Sequence, residues 1–168
     1  MKYKFKLTNK TAEARPNGYL GNLKMFVGDE QAVQQGSWTK LNGHLKVSFN
    51  FKVQDKVYQV IVESPTYNSW PPRAIFEGND YYNWVSSTSD PEQVWISVET
   101  DMPITRFEYP NRGGGPQYWG RYNDKLLLTE ETTNTIIFDG NTPSYETISV
   151  DVPLKLNYHN KNTFISFK

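Results

Sequence analysis

The stretch Leu45-Lys46-Val47-Ser48-Phe49-Asn50-Phe51-Lys52-Val53 sets the reading of this chain. Apolar residues hold every odd position and polar residues every even one. A period of two marks a β-strand with one face in a core and the other in water. A polar break at Gln54-Asp55-Lys56 follows, and then Tyr58, Val60 and Val62 alternate again, with Val57 and Ile61 on the opposite face. Two alternating runs joined by a short polar break predict a hairpin.

The same pattern recurs along the chain. Tyr3, Phe5 and Leu7 alternate with Lys2, Lys4 and Lys6, and the lysine row places this strand at a sheet edge that must not pair with another chain. Pro16-Asn17-Gly18 is a turn. Leu20 to Val27 reads as a short strand with Leu23, Met25 and Val27 in register. Asp29 to Gln35 reads as a helical turn ended by Gly36. Ser64 to Pro72 is a loop, because two adjacent prolines exclude ladder pairing. Short strands are expected at Arg73–Glu77, Tyr81–Ser86, Val94–Glu99 and Ile104–Tyr109, with turns at Gly78-Asn79-Asp80 and Ser87–Pro91. Asn111-Arg112-Gly113-Gly114-Gly115-Pro116 is a glycine-rich loop. Tyr118–Tyr122 and Lys125–Glu130 flank Asn123-Asp124 as a second hairpin. Thr135–Phe138 precedes a turn at Asp139-Gly140-Asn141. Ile148, Val150, Val152, Leu154 and Leu156 alternate, with Pro153 on the opposite phase marking an edge or a bulge. His159–Asn162 turns into a last strand, Thr163–Lys168. About ten to twelve short strands at this spacing predict a single antiparallel β-sandwich, jelly-roll-like in form, with little or no helix.

A length of 168 residues suits one domain spanning 1–168. Only 37% of residues are hydrophobic, but 15% are aromatic, so large rings supply much of the core. The formal charge is zero, from 18 basic and 18 acidic residues, which argues against a nucleic-acid partner. With no cysteine there is neither a disulfide nor a thiolate metal site, and the redox compartment stays open. The start Met1-Lys2-Tyr3-Lys4-Phe5-Lys6 has no apolar run after it. No signal peptide or membrane span is expected, and the expectation is cytoplasmic synthesis with any exit by a non-classical route.

Signatures of catalysis are sparse. His44 and His159 read as turn or strand-end residues. Neither a Gly-x-Ser-x-Gly elbow nor a phosphate loop is present. Glu63, Glu77, Glu92, Glu99, Asp101 and Glu108 are available for paired-carboxylate chemistry, and Glu99 and Asp101 share strand parity. Met102-Pro103 ends that strand, however. Asp80, Asp90, Asp101, Asp124 and Asp139 all sit in turns, outside any Asp-x-Asp-x-Asp-Gly loop, and aspartate there serves the turn. The expectation is a non-catalytic protein with no cofactor and no metal.

What the sequence offers instead is aromatic rings beside amides and guanidinium groups. Tyr67, Asn68 and Trp70 lie among prolines; Asp80, Tyr82, Asn83 and Trp84 follow a glycine turn; Arg112, Trp119 and Arg121 bracket the glycine-rich loop. A ring stacks on the apolar face of a sugar while Asn, Asp and Arg bind hydroxyls, so these ten residues predict a lectin-type surface for a glycan or glycoconjugate. Rings with arginine also suit lipid headgroups, the alternative of a membrane-associating or toxin-like protein. Neutral charge with many rings also suits a self-assembling homo-oligomer.

Within residues 43–77, Val60-Ile61-Val62-Glu63-Ser64-Pro65-Thr66-Tyr67-Asn68 followed by Trp70 resembles the strand–Pro–Tyr–Asn–Trp stretch of the sea-anemone pore-forming cytolysins. The resemblance implies a cysteine-free β-sandwich, related in fold to fungal fruit-body lectins. Those toxins use an amphipathic N-terminal helix to form pores, whereas residues 2–8 here read as strand, so no membership follows and no site is carried over.

Overall fold

The computed structural model describes residues 1–8, 18–42, 45–65, 72–76, 84–85, 94–112 and 123–156. Chain order gives β1 (Lys2–Thr8), β2 (Tyr19–Leu20), β3 (Lys24–Val27), β4 (Glu30–Gln31), β5 (Val33–Gln34), β6 (Thr39–Asn42), β7 (Lys46–Val53) and β8 (Lys56–Glu63). A 3₁₀ turn, η1 (Pro72–Phe76), precedes β9 (Trp84–Val85). Then come β10 (Trp95–Thr100), β11 (Arg106–Pro110), β12 (Lys125–Glu130), β13 (Thr135–Asn141) and β14 (Thr147–Asp151).

The β7–β8 hairpin forms as its alternation requires. Gln54 (φ 51°) and Asp55 (φ 62°) both take left-handed backbone, the pair of angles that a two-residue hairpin turn needs to match strand twist. The Glu30 carboxylate accepts the Gln54 N–H at 3.0 Å and braces that turn. Pairing then runs in unbroken register from Val53↔Lys56 to Lys46↔Glu63. Val47, Phe49, Phe51, Val53, Val60 and Val62 all face the core. Each such side chain contributes roughly 1.5–3 kcal/mol by leaving water.

The protein is an all-β sandwich. An eight-stranded sheet runs β13-β12-β1-β10-β8-β7-β5, with β6 also on β7, and a four-stranded sheet runs β14-β11-β3-β4. The strand pairs are antiparallel, and β2 pairs separately with β9. The sheets meet at Phe107 of β11. Its ring stands edge-on to Tyr3 and to Phe5 of β1, with centroids 5.1 Å away in both cases. Tyr3, Phe5 and Phe107 are all sealed from water.

Several expectations change once pairing partners are visible. β1 is not an edge: β12 and β10 flank it on either side. Its lysines line the solvent face of a central strand, where Lys2 meets Glu63 at 3.6 Å and Lys4 lies 4.7 Å from the centre of the Trp95 ring. Alternation looks the same in a central strand with one wet face as in an edge strand. Asp29–Gln35 is extended rather than helical, because β3 captures Glu30 and Gln31 and β7 captures Val33 and Gln34. Arg73 to Phe76 lies in η1 rather than a strand. Leu20 to Val27 is broken at Asn22, whose φ is 51°. Pairing of β13 continues through Asp139 and Gly140 to Asn141, with an irregularity opposite Leu128/Thr129. β14 stops at Asp151; Leu154 to Leu156 turn helically, and Leu156 N–H donates to the Pro153 carbonyl at 3.0 Å. The expected strands at 118–122 and 163–168, both histidines and the glycine triplet lie outside the described residues.

Truncating the inter-sheet wedge tests this architecture. Phe107→Ala removes two edge-on ring contacts and opens a cavity between the sheets. It is expected to cost about 3–5 kcal/mol in urea unfolding; a loss below about 1 kcal/mol would contradict the wedge.

Candidate functional site

The framework of one end of the sandwich is built on backbone hydrogen bonds and two buried amides. Asp124 N–H donates to the Thr8 carbonyl at 2.6 Å, and Leu7 N–H donates to the Val94 carbonyl at 3.1 Å. The end of β1 therefore lies beside the starts of β12 and β10. Antiparallel pairing of Ser97 with Glu63 brings the end of β8 to the same place.

Asn123 and Asn111 are buried, at 1% and 0% exposure, where an unpaired amide would be costly. Neither is left unpaired. Tyr19 N–H donates to Asn123 Oδ1 at 3.1 Å, and Asn123 Nδ2 donates back to the Tyr19 carbonyl at 2.7 Å. The side chain thus takes the place of a neighbouring strand beside β2. Asn123 N–H donates to Asn111 Oδ1 at 3.0 Å, while Asn111 Nδ2 donates to the Asn123 and Pro143 carbonyls at 2.9 Å each. The Thr142 hydroxyl adds a further bond to the Asn123 carbonyl at 2.9 Å. On its other edge β2 pairs with β9, Leu20 opposite Trp84 and Tyr19 opposite Val85. η1 packs beside β9, and the Ile75 carbonyl accepts the Leu23 N–H at 2.7 Å.

These contacts bring together the anchor points of the three ring-bearing stretches. Residues 66–71 join the end of β8 to η1, residues 77–83 join η1 to β9, and residues 113–122 begin after Arg112 and end at Asn123. Of the ten residues singled out, Tyr67, Asn68, Trp70, Asp80, Tyr82, Asn83, Trp119 and Arg121 lie outside the described residues. Trp84 is placed by its backbone in β9. Arg112 is half-buried directly after Asn111, and its N–H donates to the Pro110 carbonyl at 3.1 Å.

Asn111 and Asn123 carry no distinguishing mark in the sequence: one opens a glycine-rich loop, the other precedes Asp124, and both read as turn residues. Glu130 is similar, an acidic residue at the end of an ordinary strand. Yet it is fully buried and faces inward. Its Oε2 accepts the N–H groups of Lys2 at 2.8 Å and Thr132 at 2.9 Å; its Oε1 accepts the Thr133 N–H and hydroxyl, each at 2.7 Å. Burial pushes its pKa up, but the Thr133 hydroxyl and the three N–H donors outweigh that and lower it to about 2. A carboxylate held so firmly ionised, with both oxygens engaged, is a structural tie between β1 and the β12–β13 turn rather than a proton donor. Burial also drives the Tyr3 and Tyr109 hydroxyls above the usual phenol range, and the Glu130 charge adds to this at Tyr3, so both stay protonated. Among the described residues no cluster of three His, Cys, Asp or Glu side chains forms a metal cradle.

Two outcomes follow. Asn123→Ala strands the buried N–H and carbonyl of Tyr19 and is expected to cost about 2–4 kcal/mol in chemical denaturation, from two polar groups left unpaired; a change within 0.5 kcal/mol, roughly the size of an ordinary surface substitution, would contradict the clamp. For Glu130, a folded pKa lowered from 4.5 to about 2 means that its contribution to stability is complete above 4.5 and is lost as pH falls towards 2. The urea midpoint of the native protein should fall over that window by more than that of Glu130→Gln, which has no carboxyl to titrate; parallel curves would refute the assignment.

No family model matches this chain, and no curated protein or solved structure matches it either.

Proposed function

We propose that this protein is a non-catalytic carbohydrate-binding protein of lectin type, presenting rings and polar groups from one end of the β-sandwich. The observation that carries this reading is the convergence of the three anchor points on β2, β9, η1 and the Asn111–Asn123 clamp. Rings grouped at one end can act on a single ligand, whereas rings rooted on opposite sides cannot. In this reading Tyr67, Trp70, Tyr82, Trp84 and Trp119 stack on sugar faces, and Asn68, Asp80, Asn83, Arg112 and Arg121 bind hydroxyls. Aromatic faces contribute large contact area at little cost in side-chain freedom, which suits shallow recognition of a polar ligand. The balance of 18 basic and 18 acidic residues agrees with an uncharged partner.

A glycan array is the direct test. Binding to a defined set of structures is expected, with Trp84→Ala and Trp119→Ala each weakening it about tenfold, the equivalent of roughly 1.4 kcal/mol. Liposomes without glycan headgroups should leave the protein in the supernatant on sedimentation. Silence on the array at high protein concentration, or co-sedimentation with bare lipid, would remove the proposal.

A further inference from the structure

A groove of about 230 Å³ opens on the side of the sandwich, bounded by β3 and β4 of the small sheet and by β5 and β7 of the large one. It exists because one extended segment belongs to both sheets. Gln31 pairs with Phe26 of β3, and the Ala32 N–H still reaches the Met25 carbonyl at 2.9 Å. One residue later Val33 and Gln34 pair with Lys52 and Phe51 of β7. The chain has left β3 before the level of Lys24, and the space between is lined but not filled.

Its lining is chemically specific. Phe51 and Phe76 provide an aromatic floor, with Phe76 4.8 Å from Phe51 and the more accessible of the two. Three carboxamide-bearing residues, Asn22, Gln31 and Gln34, line the groove together with Lys24. Gln34 Nε2 donates to the Gly36 carbonyl at 3.1 Å, which steadies its amide. Among the described residues no carboxylate lines the groove. Lys24 stands opposite Glu108 in the register of β3 and β11, but the Glu108 carboxylate is held by Arg106 Nε at 2.8 Å, so inorganic phosphate is the competitor that the lysine would favour. Carboxamides supply donors and acceptors together, the complement of hydroxyl groups. The volume is below the roughly 300–1,000 Å³ of sites for drug-sized molecules, so one small ring is the size that fits.

We propose that this groove binds a single neutral sugar ring, with hydroxyls on the carboxamides of Gln31 and Gln34 and a C–H face on Phe76. The described lining residues lie outside the ring-bearing stretches, so the proposal holds whether or not those stretches bind glycan.

Saturation-transfer NMR on the full chain tests it, with glucose, galactose, mannose and N-acetylglucosamine as probes and inorganic phosphate as the anionic competitor. At least one sugar should receive saturation at its C–H protons. Gln31→Ala and Gln34→Ala, both at exposed edge positions, should each weaken that sugar about fivefold, the loss of one neutral hydrogen bond. Run in a Trp119→Ala background, which weakens the loop site, the same measurement reads the groove apart from the loops. The proposal is overturned by no transfer to any of the four sugars, by displacement with phosphate, or by transfer that survives both groove variants. Transfer abolished by Trp119→Ala also overturns it and assigns the sugar to the loops. Retained array binding in the Gln31→Ala, Gln34→Ala double variant with monosaccharide transfer lost separates the groove from the loop site.

Discussion

The ring of Phe107, wedged edge-on between Tyr3 and Phe5, is the contact on which this sandwich turns. β1 lies inside the large sheet with partners on both sides, and β11 lies inside the small one between β14 and β3. Their facing rings therefore join the middles of the two layers rather than their margins. In a chain without cysteine no covalent tie helps. Cohesion comes from buried area, and aromatic side chains supply more of it per residue than aliphatic ones.

Around that apolar contact, buried polar groups fix both ends of β1. At the Lys2 end, Glu130 accepts four hydrogen bonds and ties the strand to the β12–β13 turn. At the Thr8 end, the Asp124 N–H and the Asn111–Asn123 pair connect β1, β2, β11 and β12. A buried polar group is destabilising unless its partners are in place, so a fully satisfied network permits one arrangement and penalises others. In the lectin reading this matters for function, since stacking on a sugar demands rings held at fixed spacing. The rigidity of the roots is what would let long polar segments serve as a binding surface.

The side groove has a different origin. It follows from a strand that changes sheets within three residues, with Ala32 buried at the crossing. A sandwich closed by continuous edge strands would have no such gap. The two proposed sites thus arise from separate features, one from amides that substitute for strand pairing and one from a strand shared between layers.

Much of this was legible in the residues. Strict alternation in 45–53 and 2–8 identified the inward faces of β7 and β1, because side-chain direction in a strand follows from backbone geometry alone. The candidate site was legible only as composition: rings and amides clustered in Pro- and Gly-bounded stretches. What composition could not show was that Asn111 and Asn123 are sealed amides, that Glu130 faces inward, or that Gln31 and Gln34 line a groove. Those properties depend on partners distant in the chain, such as Tyr19 for Asn123 and Lys2 for Glu130. By itself the sequence determined the long alternating strands, β1, β7 and β8 among them, and which way their apolar faces point, since period-two alternation is a local property. Only the tertiary structure decided that the lysine-lined β1 is central, that Asp29–Gln35 bridges two sheets, and where the loop roots meet, because hydrogen-bond partners and burial are settled between segments and not within them.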